Sequence, residues 1–490
     1  METKRQEIAV NDSVGNDLLT ALPPELTKSI FEYLSAVDLS HVASCNRHLR
    51  NVANTDSLWR PLCLRNGWER YDSITDLVPY KPQDVSGGWN DVSFNMAAIV
   101  KQDSTTDLVA TCRWKEIYMK SNHLENNWKN KRFHVSNLKP RDLDAKLDSD
   151  RSGRVHQVAI DKDCLVVSMS NETIQIWDVK TETCRHVTPA ISEGVACLRV
   201  CNGKIAVGSK DGVVRVFSAN TGEILHVMHG TYKDYIDRIF IDTELVISAA
   251  IPLYITGDDA KHKHIHVWNV EDGALRHIFK IDVEEAILRD VDYRDKMVVG
   301  AYSDRCLRLW DAVTGDCLLQ PLIYNCEGIA ESLSCCLGNG IIALADFDGL
   351  KFIIWNRQTG ECVTSVSISG DFEDLVDYTL SGKCEAVEDL LVVCLYGHAE
   401  NYFNVYNHKG ELLINLHDEV GMGSVCSHGD KFIIQAQGDS DDFENCIIFK
   451  AVSGSSKQMC IVECKGTPEG VDDTKMVVST FSVLNIYHFW

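Results

Sequence analysis

Three histidines alternate in KHKHIHVW, so His262, His264 and His266 share one face of a β-strand. Imidazoles at that spacing can ligate a metal, but no thiol or carboxylate nearby completes the set. They read as a solvated strand face at the end of a long inter-strand loop. The acidic run GDSDDFEN (438–445) lacks the spacing and closing glutamate of a Ca2+ loop and reads as a solvated turn. The 19 cysteines are dispersed and contain no Cys-x-x-Cys pair; the nearest approaches are Cys197/Cys201, Cys460/Cys464 and adjacent Cys335/Cys336. Zinc needs paired ligands at short, repeated spacing. These thiols read instead as free side chains packed as small apolar groups. A nucleophile elbow, a Gly-Lys-Ser/Thr phosphate loop and an HExxH helix are all missing. The sequence predicts no cofactor, no metal and no catalytic residue.

The formal net charge of −23 over 490 residues argues against a general binder of nucleic acid or of acidic membranes, which needs a basic excess. No apolar run approaches the roughly 18–20 residues of a membrane helix. The opening METKRQEIAVNDSVGND is polar and charged, without the apolar core of a signal peptide. A cytoplasmic or nuclear protein is expected, with residues 1–17 disordered.

From about residue 155 one phrase recurs: an alternating apolar strand, an aromatic, a polar residue, then a short turn. TIQIWDVKTE, VVRVFSANTGE, IHVWNVEDG and LRLWDAVTGD are its first four instances. The marker aromatics are Trp177, Phe217, Trp268, Trp310, Trp355, Tyr406, Phe449 and Tyr487, spaced 38 to 51 residues apart. Ahead of each lies a second apolar strand ending in small residues, such as KIAVGSKDG or KMVVGAYSD. Period-two alternation makes strands with two faces, and Asp-Gly, Thr-Gly or Asn-Gly turns fold them into hairpins. A four-stranded unit of that size cannot bury both faces alone, but a ring of them can.

Trp177-Asp178 and Trp310-Asp311 resemble the signature dipeptide of WD repeats, while positions 268 and 355 are followed by asparagine. The resemblance implies a β-propeller. Eight phrases predict eight blades, with seven as the alternative if one phrase is a decoy. The last phrase ends at Trp490 without an outer strand, and KRFHVSNL (131–138) is placed to supply it.

Between Leu18 and Arg50 the chain is unusually apolar. Leu22-Pro23-Pro24 opens a helix, and Leu22, Leu26, Ile30 and Leu34 form one stripe beside Phe31. After a break at 35–37, Asp38 or Ser40 caps a second helix striped by Leu39, Val42, Cys45 and Leu49. DSLWRPLCLRNGW makes a third, with Leu58, Trp59, Leu62 and Trp68. Three short helices make a poor core, so the stripes dock either on the rest of the chain or on a partner.

Leu22, Pro23, Glu25, Leu26, Ile30, Tyr33, Leu34, Asp38, Leu39, Cys45, Asn46, Arg47, Leu58, Trp59 and Arg60 together are similar to an F-box. In that family this face binds the Skp adaptor of a cullin–RING ubiquitin ligase. The resemblance implies adaptor contacts at Leu22, Pro23, Leu26, Ile30, Leu34, Leu39, Val42, Leu58 and Trp59. TCRWKEIYMKSNHLENNWKN (111–130) resembles the helix that precedes the propeller in F-box proteins with WD repeats, with Trp114, Ile117, Tyr118 and Leu124 on one side.

The expected architecture is mainly β: an all-α F-box module (18–70), a loop and helical linker (71–130), and a WD-repeat propeller (131–490). Propeller ligands commonly sit on one rim of the ring, and aligning the blades places His156, Ala196, Asp237 and Arg289 there, with Lys210 beside them. Some relatives read phosphorylated segments with clustered rim arginines; this chain does not repeat that cluster. His156, Lys210 and Arg289 are the candidate contacts for a protein substrate. The implied function is substrate recognition for a Skp–cullin–F-box ubiquitin ligase. A non-degradative scaffold is the alternative, and an enzyme hidden in the propeller channel is a third reading.

Overall fold

The structure, a computed structural model, describes residues 22–68, 111–140, 154–188, 191, 194–230, 235–251, 264–281, 283, 286–325, 331–370, 381–396, 401–416, 425–437, 444–452, 455–464, 466–480 and 483–490. The expectations for residues 1–21 and 71–110, for His262 and for 438–443 lie outside these. The chain divides into two compact units, residues 1–127 with Trp490, and residues 128–489.

The first unit is helical. Helix α1 (Pro24–Phe31) starts on proline, whose missing N–H costs nothing in a first turn, and the Pro23 carbonyl accepts from Leu26 N and Thr27 N at 3.1 Å each. Helix α2 (Ala36–Cys45) is capped by Ser35 rather than by Asp38 or Ser40. The Ser35 hydroxyl accepts from Asp38 N at 3.2 Å and donates to the Asp38 carboxylate at 2.7 Å. The stripe running from Leu39 to Leu49 is not one helix. Asn46 is fully extended (φ −157°, ψ 169°), ends α2 and caps α3 (Arg47–Ala53) by accepting from Leu49 N at 2.8 Å. Helix α4 (Asp56–Arg65) follows. Helix α5 (Arg113–Lys129) brings Trp114 and Tyr118, with Cys112 just before it, onto the core of Phe31, Leu39, Ala43, Leu49, Val52, Leu58 and Trp59. The intramolecular share of the apolar stripes is thus covered by the unit's own helices.

The second unit is a ring of eight antiparallel four-stranded sheets among the described residues, so every one of the eight phrases is a blade. Blades 1 to 7 span 155–187, 195–229, 238–279, 288–323, 333–367, 381–416 and 425–464. Blade 8 takes three strands from 467–488 and its outer strand from His134–Leu138. That strand pairs antiparallel with Leu484–His488, with Leu138 opposite Leu484. Ser136 Oγ and His488 Nε2 meet at 2.8 Å inside the seam. Burial, then the Lys475 charge, pushes His488 down to about 3, so the seam holds a neutral imidazole.

The cores lie between blades, as stacking demands. Ile176 and Leu198 share one cluster across blades 1 and 2, Ala206 and Trp268 another across 2 and 3, and Phe352 and Tyr406 another across 5 and 6. All eight marker aromatics are buried. Side chains of the inner strands add polar staples. Gln157 of blade 1 bonds Ala196 O (2.6 Å) and Leu198 N (3.0 Å) of blade 2. Asp290 of blade 4 accepts from Arg238 of blade 3 (3.2 Å), and from Ser334 Oγ (2.9 Å) and Cys335 N (3.0 Å) of blade 5. At the outer edge the His277 ring of blade 3 lies on the turn of blade 4. Gly315 there has φ +83°, and any Cβ would fall 2.6 Å from His277 Nδ1.

Leu138 anchors the closing strand in a cluster with Val158, Leu165, Trp177, Val477, Leu484 and Ile486. Leu138→Ala leaves a cavity there and is expected to lower propeller stability by about 2–5 kcal/mol, read as a fall in unfolding midpoint. A change below about 0.5 kcal/mol would show that the strand does not close the ring.

Candidate functional site

On the helical unit, α1 carries two apolar faces. Thr27 and Phe31 point inward at 0% and 1% exposure. Leu26 and Ile30 point outward at 54% and 44% and, one turn apart on α1, form an exposed ridge. Tyr33 (91%), just past the end of α1, and Val37 (62%), in the first turn of α2, are exposed as well. Covering the ridge together with Tyr33 and Val37 is worth roughly 5 kcal/mol gross. Beside it lies a groove of about 240 Å³ lined by Phe31, Glu32, Leu34, Ser57, Leu58, Pro61, Leu62 and Arg65.

The nine residues expected on this face therefore separate. Leu26 and Ile30 are exposed on the ridge, with Pro23 exposed and Leu22 half-buried at its start. Leu34 and Val42 are half-buried against the core. Leu39 and Trp59 belong to the core, each at 1% exposure, while Leu58 at 4% is packed in the core and lines the groove. The Trp59 indole donates to Ala53 O at 2.7 Å, Tyr118 meets it edge-on at 5.3 Å, and the Lys115 ammonium lies 5.3 Å above its ring. Tyr33, which belongs to the F-box resemblance, and Val37, which does not, are exposed nearby without being among the nine.

On the propeller, His156, Ala196 and Arg289 occupy one structural position. Each is the extra residue of a β-bulge at the start of an inner strand, skipped between Val155 and Gln157, Val195 and Cys197, and Leu288 and Asp290. Blade 8 has the same bulge, and its extra residue is Glu469, which sequence alignment of the blades did not find. Asp237 is turned to the backbone and accepts from Ile251 N at 2.8 Å. His156 and Lys210 come together: burial, then the Lys210 charge, holds the His156 imidazole below its usual range. The Lys210 stem and the Glu172 carboxylate both lie over Gly194. Arg289 stands apart on blade 4. These positions carry a lysine beside a neutral imidazole at blades 1 and 2, a separate arginine at blade 4, and an acid at blade 8.

His266 is not on a solvated face. It is 0% exposed and stacks on Trp268 at 5.5 Å, while Trp268 Nε1 donates to Ser248 Oγ at 2.9 Å. Burial, then the His264 charge, pushes it down to about 3, so it is a neutral core residue. Among the described residues, no group of three or more His, Cys, Asp or Glu is arranged to hold a metal.

Asp292 lies deeper in the inner strand of blade 4 and accepts from Leu337 N of blade 5 at 2.7 Å. Burial raises its pKa to about 6, and the Asp290 and Glu385 charges add to this. A carboxyl raised in the folded state binds its proton more tightly there than in the unfolded chain. Its stabilising effect is full below the ordinary carboxyl value and is lost as pH climbs through about 6, a loss of up to about 3 kcal/mol. Asp292→Asn keeps an acceptor for Leu337 without the charge. It is expected to unfold at a higher temperature than the wild type at pH 7.5 and at the same temperature near pH 4; equal midpoints at both would contradict this.

Residues 19–65 match the F-box-like family model. The chain therefore joins an F-box-like segment to an eight-bladed β-propeller. "Autophagy-related protein 16" of Arabidopsis thaliana is 24% identical over 169 residues, covering 34% of this chain and 30% of that protein. "Probable E3 ubiquitin ligase complex SCF subunit scon-2" of Neurospora crassa is 24% identical over 220 residues, covering 36% of this chain and 32% of that protein. The chain thus spans about a third of the length of these relatives. Among solved structures, the computationally designed Ika8 protein covers 69% of this chain and 96% of its own, with a TM-score of 0.52 at 16% identity, a likeness of fold alone.

Proposed function

We propose that this chain is the substrate-recognition subunit of a Skp–cullin–F-box ubiquitin ligase. The observation that carries the reading is the α1 ridge of Leu26 and Ile30, with Tyr33 and Val37 also in solvent, inside a segment matching the F-box-like model. A folded domain keeps few contiguous apolar side chains in water unless a partner covers them. The Skp adaptor covers the ridge, and its apolar side chains enter the adjoining groove. The propeller holds the target protein at the rim that carries His156, Lys210 and Arg289. Ubiquitin transfer is then a matter of proximity: a target held on the propeller sees a raised effective concentration of the charged conjugating enzyme. No residue of this chain takes part in the transfer.

Ubiquitin-remnant profiling tests the reading in cells expressing either the wild type or Leu26→Glu/Ile30→Glu. Proteins retained by the propeller should be the same for both chains, but should lose ubiquitination and live longer with the variant. Unchanged ubiquitination and lifetime would favour the scaffold reading. For the rim, Lys210→Glu and Arg289→Glu are each expected to weaken target retention about tenfold without changing adaptor binding. Retention unaffected by both would remove these residues from the target site.

A further inference from the structure

Blades 5 and 6 meet along their inner strands, Leu333–Leu337 and Ser381–Val387, where Cys384 N donates to Ser334 Oγ at 3.0 Å. On the same seam the Sγ atoms of Cys336 and Cys384 stand 3.2 Å apart, each residue 3% exposed and neither in a disulfide. That gap exceeds a sulfur–sulfur bond of ~2.05 Å by little more than one ångström. A second close pair, Cys446 and Cys464 at 3.1 Å, lies inside blade 7. The first pair differs from it in consequence. Its partners are 48 positions apart and belong to different blades, whereas those of the second are 18 apart within one.

We propose that Cys336 and Cys384 form a reversible disulfide that staples blade 5 to blade 6 under oxidising conditions. The oxidant is a low-molecular-weight disulfide. Both S–H bonds break and one S–S bond forms between the two Sγ atoms. The two electrons cleave the oxidant's S–S bond, and its halves leave as two thiols carrying the two protons. The sulfur–sulfur contact and burial hold Cys336 well above the ordinary thiol range, and burial raises Cys384 against the lowering effect of the same contact. Neither is a thiolate in the closed ring, so exchange waits on a transient opening of the seam. Once formed, the bond is sheltered from reductant by the same packing. The switch is slow in both directions. The staple constrains the unfolded chain through its loop and holds together two blades already joined by Phe352 and Tyr406.

The test equilibrates the full chain in reduced and oxidised glutathione at graded ratios, followed by acid quench, alkylation, peptide mass spectrometry and calorimetry. The expected result is a peptide pair linked through Cys336 and Cys384, a rise of at least ~4 °C in the unfolding midpoint, and reversal by dithiothreitol. Cys384→Ala and Cys336→Ser should each lose the rise, whereas Cys446→Ala should keep it. No linked peptide from the folded chain at the most oxidising ratio would overturn the proposal. So would linkage only after denaturant, linkage with no rise, or a rise that survives in either seam variant.

Discussion

Leu26→Glu/Ile30→Glu is expected to weaken binding of the Skp adaptor at least a hundredfold while changing the stability of the chain by less than about 1 kcal/mol. Both side chains stand about half in water on α1, so the free protein loses little when they change. Glutamate suits a helix, and at 26 it sits in the favourable first turn with Glu25, while at 30, in the last turn and one turn from 26, it costs a few tenths of a kcal/mol, within the ~1 kcal/mol allowed. On the proposed function the same two positions lie under the adaptor in the complex. Two buried aliphatics become two carboxylates that must either shed water or hold the surfaces apart, and a hundredfold loss asks only ~3 kcal/mol of that change. Titration calorimetry gives the affinity and a urea transition gives the stability. An unchanged dissociation constant would remove the ridge from the interface.

Trp59→Ala is expected to abolish the same binding for a different reason. Trp59 was a candidate contact by its place in the motif, but its ring is enclosed by the helical core. Truncation leaves a large cavity, typically ~3–5 kcal/mol, and orphans the Ala53 carbonyl at the end of α3, ~1 kcal/mol or more. A unit of a few short helices has no such reserve. The helical unit should unfold, visible as proteolysis within 22–68 under conditions where the propeller remains intact. Loss of binding with the helices still protected would return Trp59 to the interface. The two variants together separate a residue that touches the partner from one that holds up the surface.

The propeller was legible because each blade announces itself twice, by an aromatic at the end of its third strand and by a small-residue second strand. The ring closure followed from a blade one strand short and a spare strand at 131–138. Its inner-strand chemistry was not legible. Asp290 bonds across two seams because of where neighbouring blades arrive, which no local pattern encodes. Glu469 shares a position with Arg289 only through register, since its bulge sits beside Pro468 in a strand with little sequence likeness to the others. His266 shows the limit of alternation: a period of two says that residues share a face, while Ser248 and Trp268 decide that the face is buried. The helical unit shows the same limit at a period of 3.6. Helix α1 is apolar on both sides, so periodicity found the stripe of Leu26 and Ile30 but did not say that Phe31, one residue away, is the inward one. Asn46 carried a usable signal, being a strong N-cap three residues ahead of a buried leucine, but an unbroken apolar stripe on either side concealed it.

Substrate recognition by this chain requires one physical event, the covering of the α1 ridge by a Skp adaptor already bound to its cullin. Size-exclusion chromatography with light scattering, on the purified full chain mixed with the purified adaptor–cullin complex, measures it directly. The expected result is a single species with one copy of this chain per adaptor, and its absence when the chain carries Leu26→Glu/Ile30→Glu. Separate elution of the wild-type chain and the complex at concentrations of tens of micromolar would contradict it.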